Sequence, residues 1–106
     1  MLLMRIERWD VRRDGPLSEA ALRQKIEGLG YKPTIRTYPA GTLAAAHCEL
    51  QECVASVLSG LIKITIDGES AILAAGDIAF VPRGAVKRVE VVGASAARCF
   101  EATDAS

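Results

Sequence analysis

Residues 57–86 have the sequence VLSGLIKITIDGESAILAAGDIAFVPRGAV, and this stretch decides the fold of the 106-residue chain. Apolar and polar residues alternate within its short runs, which is the pattern of half-buried β-strands. Asp67-Gly68 separates two such runs, and this dipeptide suits a two-residue hairpin because both of its positions need a positive φ. The stretch therefore predicts antiparallel strands joined by tight turns.

The same pattern extends on both sides of this stretch, from Thr34 onward. Turn signals recur at roughly ten-residue spacing, which is typical of a β-sandwich or a β-barrel. The predicted strands span residues 34–38, 53–59, 61–66, 69–73, 78–81, 87–92 and 96–102. No second helix separates them, so a parallel α/β sheet is not expected. A closed or two-sheet antiparallel fold leaves the fewest free strand edges.

The first 33 residues have a different pattern. Ser18 is a suitable helix N-cap, and Leu22, Ile26 and Leu29 form one apolar stripe at helical spacing. We expect one short helix over residues 18–27, packed on the outside of a sheet. The chain is thus predicted to be a single domain, 1–106, with a strand and a helix in residues 1–33 and a β-barrel in residues 34–102.

Composition excludes several classes of function. Thirteen basic residues balance thirteen acidic ones, so nothing indicates binding to nucleic acid or to an anionic membrane. No apolar run reaches the roughly 18 residues of a membrane-spanning helix. Three cysteines without a CxxC pair do not form a disulfide framework. The cysteine content predicts a cytoplasmic protein.

Strand parity singles out Lys87 as a candidate site residue. Successive side chains of a strand alternate between its two faces, so Lys87 shares a face with Val89 and Val91. If these valines point into the barrel, Lys87 does too, or it lies at the barrel's mouth. The alternative is a strand-end lysine whose stem packs while its ammonium reaches water.

Parity also groups His47, Glu49, Gln51 and Cys53 on one face, if the segment is extended. An imidazole, a carboxylate and a thiol are all competent zinc ligands. A thiol beside an ammonium tends to have a lowered pKa, so Cys53 with His47 is a second, nucleophilic hypothesis. The third alternative is that Cys53 is a small buried apolar residue.

From Gly41 to Val92 the chain resembles a small single-domain cupin. The cupin motifs are G-x5-H-x-H-x3-4-E-x6-G and G-x5-P-x-G-x2-H-x3-N. The positions that match them in register are Gly41, His47, Gly60, Gly76, Pro82 and Gly84. The resemblance, to the cupin 2 type of the RmlC-like superfamily, implies an all-β fold, a double-stranded β-helix or jelly-roll barrel, here with one short N-terminal α-helix.

The metal-ligand positions depart from this family. A metal-binding cupin has three histidines and one glutamate, and only His47 is kept. Glu49 stands at the second histidine, Cys53 at the glutamate and Lys87 at the last histidine. An ammonium at that position repels a divalent ion, so we expect no metal cofactor and an internal Glu49–Lys87 ion pair in its place. The alternative is a zinc site formed by His47, Glu49 and Cys53.

The predicted function is binding of a small molecule, without catalysis, or a sensory or accessory role. The abundant alanines would leave room in the barrel, or they would fill a tight interior. The pocket candidates are His47, Glu49, Cys53 and Lys87. The expected apolar walls are Val57, Ile64, Val81, Val89 and either Phe80 or Phe100. The alternative function is an isomerase or lyase that uses Lys87, Glu49 and His47 as acid and base groups.

The predicted assembly is a homodimer. Residues 53–59 are apolar on both faces of their strand, and the outer face needs a helix or a partner to cover it. Small cupins commonly dimerise through sheet faces or exchanged N-terminal strands. The resemblance therefore makes Met1–Ile6 a candidate exchange strand.

Overall fold

The computed structural model describes residues 4–105 and contains nine strands and two helices within them. The elements are β1 (Arg5–Glu7), α1 (Val11–Asp14), α2 (Glu19–Gly28), β2 (Tyr31–Tyr38), β3 (His47–Cys48), β4 (Cys53–Ser59), β5 (Leu61–Ile66), β6 (Glu69–Leu73), β7 (Ile78–Val81), β8 (Val86–Val92) and β9 (Ala97–Asp104). Neither of these helices is long and apolar enough to cross a membrane. The all-β prediction is confirmed.

Two antiparallel sheets form the body of the molecule. One sheet has the strand order β1-β7-β4-β9-β2, and the other has the order β3-β8-β5-β6. The inward side chains of both sheets make one apolar cluster, which fills the space between the sheets. β2 and β3 are edge strands of different sheets, and their inward residues border the candidate site described below.

The hairpin β5–β6 follows the sequence prediction residue by residue. Ile66 pairs with Glu69 across a two-residue loop, and Asp67 and Gly68 have φ values of 49° and 85°. The bounds of β4 and β7 also agree with the prediction. The short helix α1 and the two-residue strand β3 were not predicted, because neither has the length that makes a periodic pattern visible.

Helix α2 covers the outer face of the larger sheet. Ser18 is its N-cap, with Oγ accepting a hydrogen bond from the Ala21 N–H at 3.0 Å. The buried side chains of the helix, Leu22 and Ile26, pack with residues from β4 and β9 that include Phe100. The prediction that Phe80 or Phe100 lines the barrel interior is therefore wrong, because the outward parity of both places them on the helix side.

The same helix bears on the dimer hypothesis. Val54, on the outer face of β4, is 1 % exposed beneath α2, so that face needs no partner chain to cover it. Of the candidate exchange strand, residues 1–3 lie outside the described residues, and Arg5–Glu7 pairs with β7 of its own chain. The homodimer stays a prediction from the resemblance.

Arg8 and Trp9 connect the N-terminal segment to the turn before β7 by an ion pair and a close packing contact. Arg8 Nη1 lies 2.5 Å from Asp77 Oδ2, and the Asp77 carboxylate also accepts from the Ala74 N–H at 2.8 Å. The Trp9 side chain lies so close to Gly76 that a Cβ built there would be 2.5 Å from Trp9 Cβ. Glycine is required at this position for space as well as for its φ of +90°.

The substitution Gly76→Ala is expected to destabilise the fold by about 3 kcal/mol or more, since a left-handed backbone and a steric overlap add together. Gly84→Ala is the matched control, because Gly84 has a similar φ of +85° but nothing within 4 Å of the added Cβ. We expect it to cost only about 1–2 kcal/mol. Urea unfolding of both variants measures the difference, and equal losses would contradict the close approach of Trp9.

Candidate functional site

The candidate site is a cavity of about 400 Å³ bordered by the edge strands β2 and β3. It is lined by Lys32, Thr34, Arg36, His47, Glu49, Cys53, Val54, Lys87, Glu101, Ala102 and Thr103. A smaller cavity of about 160 Å³ shares four of these residues and extends toward Tyr38, Ala44 and Ala45. The structure thus brings all four predicted pocket residues to one place.

Lys87 lies inside the mouth of the barrel. It occupies the inward face of β8 with Val89 and Val91 and is 6 % exposed. Its Nζ is 3.2 Å from Glu49 Oε1 and 3.9 Å from Glu101 Oε1. The alternative in which the ammonium reaches bulk water is therefore wrong, and the charge is instead balanced by carboxylates on two sides.

Two side chains, His47 and Lys87, approach the same oxygen atom of Glu49. His47 Nε2 lies 2.7 Å from Glu49 Oε1, the same atom that Lys87 approaches. Oε1 is enclosed, and neither contact has the angles of a hydrogen bond. The Lys87–Glu49 contact is therefore an ion pair without a hydrogen bond, and the imidazole lies beside it. The imidazole covers the pair from outside, with 59 % of the His47 side chain exposed.

Glu101 is a site residue that sequence reasoning missed. Its Oε1 accepts a hydrogen bond from the Tyr38 hydroxyl, and its Oε2 one from Arg36 at 3.4 Å. Burial raises the pKa of Glu101, but the Tyr38 hydrogen bond and the charges of Lys87 and Arg36 outweigh it. The pKa of this carboxyl therefore lies below its usual value. Its parity with the inward Cys99 could have revealed it.

The segment from His47 to Cys53 is not one extended strand. β3 ends at Cys48, and the chain bends at Leu50 and Gln51 before β4 begins. The grouping of Gln51 with the other three residues is therefore wrong, since its side chain lies outside this cavity. Glu49 is held in place through its backbone, which accepts from the Gly84 N–H at 2.8 Å and donates to the Ala85 carbonyl at 2.9 Å.

The Cys53 thiol lacks the character of a nucleophile. The residue is 5 % exposed, and burial raises the pKa of the thiol to about 11. The charge of Lys87 lowers this pKa but does not compensate for burial. The hypothesis of a thiolate activated by the ammonium is wrong, because desolvation of the thiolate is the stronger effect.

The residues present do not fit a metal ion. Within residues 4–105, no three His, Cys, Asp or Glu side chains form a group that could hold one. The Nε2 atom of His47 faces Glu49 rather than a shared centre, and the Lys87 ammonium lies against the same carboxylate. A cationic ammonium has no lone pair to give a metal, so the donor set is incomplete.

The expected apolar walls mostly fill the barrel rather than line a pocket. Val57, Ile64 and Val81 are 0 % exposed in the cluster between the sheets. Of the four expected valines and isoleucines, Val89 borders the smaller of the two cavities at the site, whereas Val81 borders a separate cavity beside Arg5 and Pro82. The space for a ligand is therefore at the mouth of the barrel, where polar residues of β2 and β3 replace the apolar ones.

Comparison with known proteins assigns the family. The family model "Cupin domain" matches residues 34–103, and the chain therefore belongs to the cupins. No curated protein sequence matches it.

Solved structures agree on the fold. A cupin 2 domain-containing protein from Halorhodospira halophila has 17 % identity and a TM-score of 0.72, with 97 % of this chain and 76 % of that chain covered. The Cnp3 cupin domain of Schizosaccharomyces pombe has 18 % identity and a TM-score of 0.66, with 73 % and 54 % covered. Salicylate 1,2-dioxygenase from Pseudaminobacter salicylatoxidans has 24 % identity and a TM-score of 0.64, with 72 % and 21 % covered.

These identities support the shared fold alone. The chain spans about half the length of the Cnp3 cupin domain, 54 %, and about a fifth of the dioxygenase chain, 21 %. The activity in the dioxygenase's name is a property of that protein.

Alkylation distinguishes the three cysteines of the native protein. Cys48 is exposed, whereas Cys53 and Cys99 are buried, with burial raising the pKa of both buried thiols to about 11. We expect iodoacetamide at about pH 8 to modify Cys48 alone, and all three after unfolding. Peptide mass spectrometry locates the label. Modification of Cys53 at a rate close to that of Cys48 in the folded protein would contradict this assignment.

Proposed function

We propose that this cupin binds a small organic molecule in the cavity between β2 and β3, without a metal and without catalysis. The observation that carries the proposal is the convergence of Lys87, Glu49 and Glu101 on a cavity of about 400 Å³. Ligand sites typically measure roughly 300–1,000 Å³ and place a few convergent polar groups beside apolar surface.

In this proposal the Lys87 ammonium supplies the positive charge that a metal ion provides in metal-binding cupins. It lies on an inward strand position and is held by carboxylates from two different segments, Glu49 and Glu101. Such an enclosed ion pair contributes little net stability, because desolvation offsets the attraction. Its value is in presenting fixed polar groups at the mouth of an otherwise apolar barrel.

The same contacts favour binding over acid–base catalysis. An isomerase or lyase would need one group ready to accept a proton and another ready to donate it at the substrate. Here Lys87 and His47, the candidate acids, both face Glu49, the candidate base, through the single atom Oε1. These groups face one another rather than the open part of the cavity, and what remains for a ligand is a polar surface.

Filling the cavity should abolish binding. Thr34 faces the cavity from β2, so Thr34→Trp places a large ring there. Thr37→Trp on the opposite, exposed face of the same strand is the matched control. We expect small metabolites that raise the thermal midpoint of the wild type to lose this effect in T34W and keep it in T37W.

A metabolite screen by thermal shift, with ¹H–¹⁵N NMR to locate each hit, makes this measurement. Hits that bind T34W as well as the wild type would contradict the proposed cavity. A screen in which no compound perturbs the amides of residues 32–36 and 101–103 would contradict the proposed function itself.

A further inference from the structure

We propose that the ligand is a small monocarboxylic acid whose carboxylate binds between Lys32 and Arg36 on β2. This inference rests on the proposed function and assigns the chemical class of its ligand. Two observations carry it. One is the net charge of the side chains that line the cavity, and the other is that few hydrogen-bond donors of the basic side chains on β2 already have a partner.

The side chains that line the cavity carry a net charge of +1. Lys32, Arg36 and Lys87 contribute three positive charges, and Glu49 and Glu101 contribute two negative ones. The chain as a whole is neutral, with thirteen charges of each sign. A local surplus inside a concave, partly enclosed surface attracts an anion more strongly than the same charge on an open face.

The surplus is located at the rim on β2. Lys87 is committed to the two carboxylates at the base. Within the described part of the chain, no carboxylate lies within ion-pair distance of Lys32, whereas Arg36 reaches only Glu101, at 3.4 Å. A guanidinium has five N–H donors, and a single long contact leaves most of them for a ligand.

Arg36 is also held in an orientation suited to a carboxylate. Its Cζ lies 4.9 Å from the centroid of the Tyr38 ring, and the stacked contact restricts the plane of the guanidinium. Alternation along β2 puts Lys32, Thr34 and Arg36 on the same face. A planar, partly fixed guanidinium matches the two oxygens of a carboxylate, and the Lys32 ammonium adds positive charge on the same face of the strand.

The size of the surplus favours a monoanion. A phosphate monoester carries about −1.5 to −2 charges at neutral pH and would overcompensate a single positive charge while facing Glu49 and Glu101. A carboxylate neutralises it. The rest of the ligand would lie against the less polar part of the lining, which includes the inward Cys53.

Matched acid and amide pairs test this inference. The probes are acetate, benzoate and phenylacetate, each with its primary amide, and inorganic phosphate, followed by ¹H–¹⁵N NMR titration of the wild type. We expect the acids to shift the amides of residues 32–36 and 101–103 and to bind several-fold more tightly than their amides. Lys32→Gln should weaken acid binding by about three- to tenfold and leave amide binding unchanged. Lys63→Gln, on the exposed outward face of β5, is the control and should change neither.

Each contrary result has its own meaning. If amides bind in the cavity as tightly as acids, or if K32Q and K63Q behave alike, the carboxylate assignment is wrong and the proposed binding function stands. If phosphate binds more tightly than every acid, the charge argument is wrong. If no acid and no amide shifts the cavity amides, both the assignment and the proposed function fail.

Discussion

The contact between Lys87 and Glu49 is the constraint on which the site depends. A lysine on the inward face of a strand must find a counter-charge, since an unpaired ammonium away from water is costly. Glu49 provides it from the bend after β3, and Glu101 provides a second carboxylate from the other sheet. Lys87 with its two carboxylates therefore links both sheets at the mouth of the barrel, and this cluster determines where polar groups converge.

The remainder of the fold keeps this arrangement open. Helix α2 covers the outer face of the larger sheet and leaves its inner face to the barrel. The apolar residues between the sheets fill the deep interior, so the free space lies at the rim, beside the edge strands. There β2 contributes long basic side chains instead of the small apolar ones of β4. A closed interior and a charged rim together give the cavity its polar character.

Much of this could be predicted from sequence, and the rest could not for identifiable reasons. Alternation and the Asp67-Gly68 turn fixed β5 and β6, since both signals are local. Parity placed Lys87 on the face of Val89 and Val91, and the structure decides that this face points inward. Glu101 was not predicted as a site residue, because its strand β9 lies opposite Lys87 only in the folded structure. The bend at Leu50 and Gln51 follows from backbone contacts with residues 84 and 85, a tertiary effect that no short-range pattern contains. For Cys53 the sequence left a buried apolar residue and an activated thiol as alternatives, and the burial that favours the first is a tertiary property.

The most direct measurement of the central claim is metal content. Wild-type protein purified without exposure to any chelator, and Lys87→His prepared in parallel with zinc in the medium, would be compared by elemental mass spectrometry. If the ammonium replaces the cation, the wild type carries far less than one metal ion per chain. K87H then gains zinc, because an imidazole joins His47 and Glu49 as a ligand. Wild-type protein with close to one tightly held metal ion per chain would contradict the account.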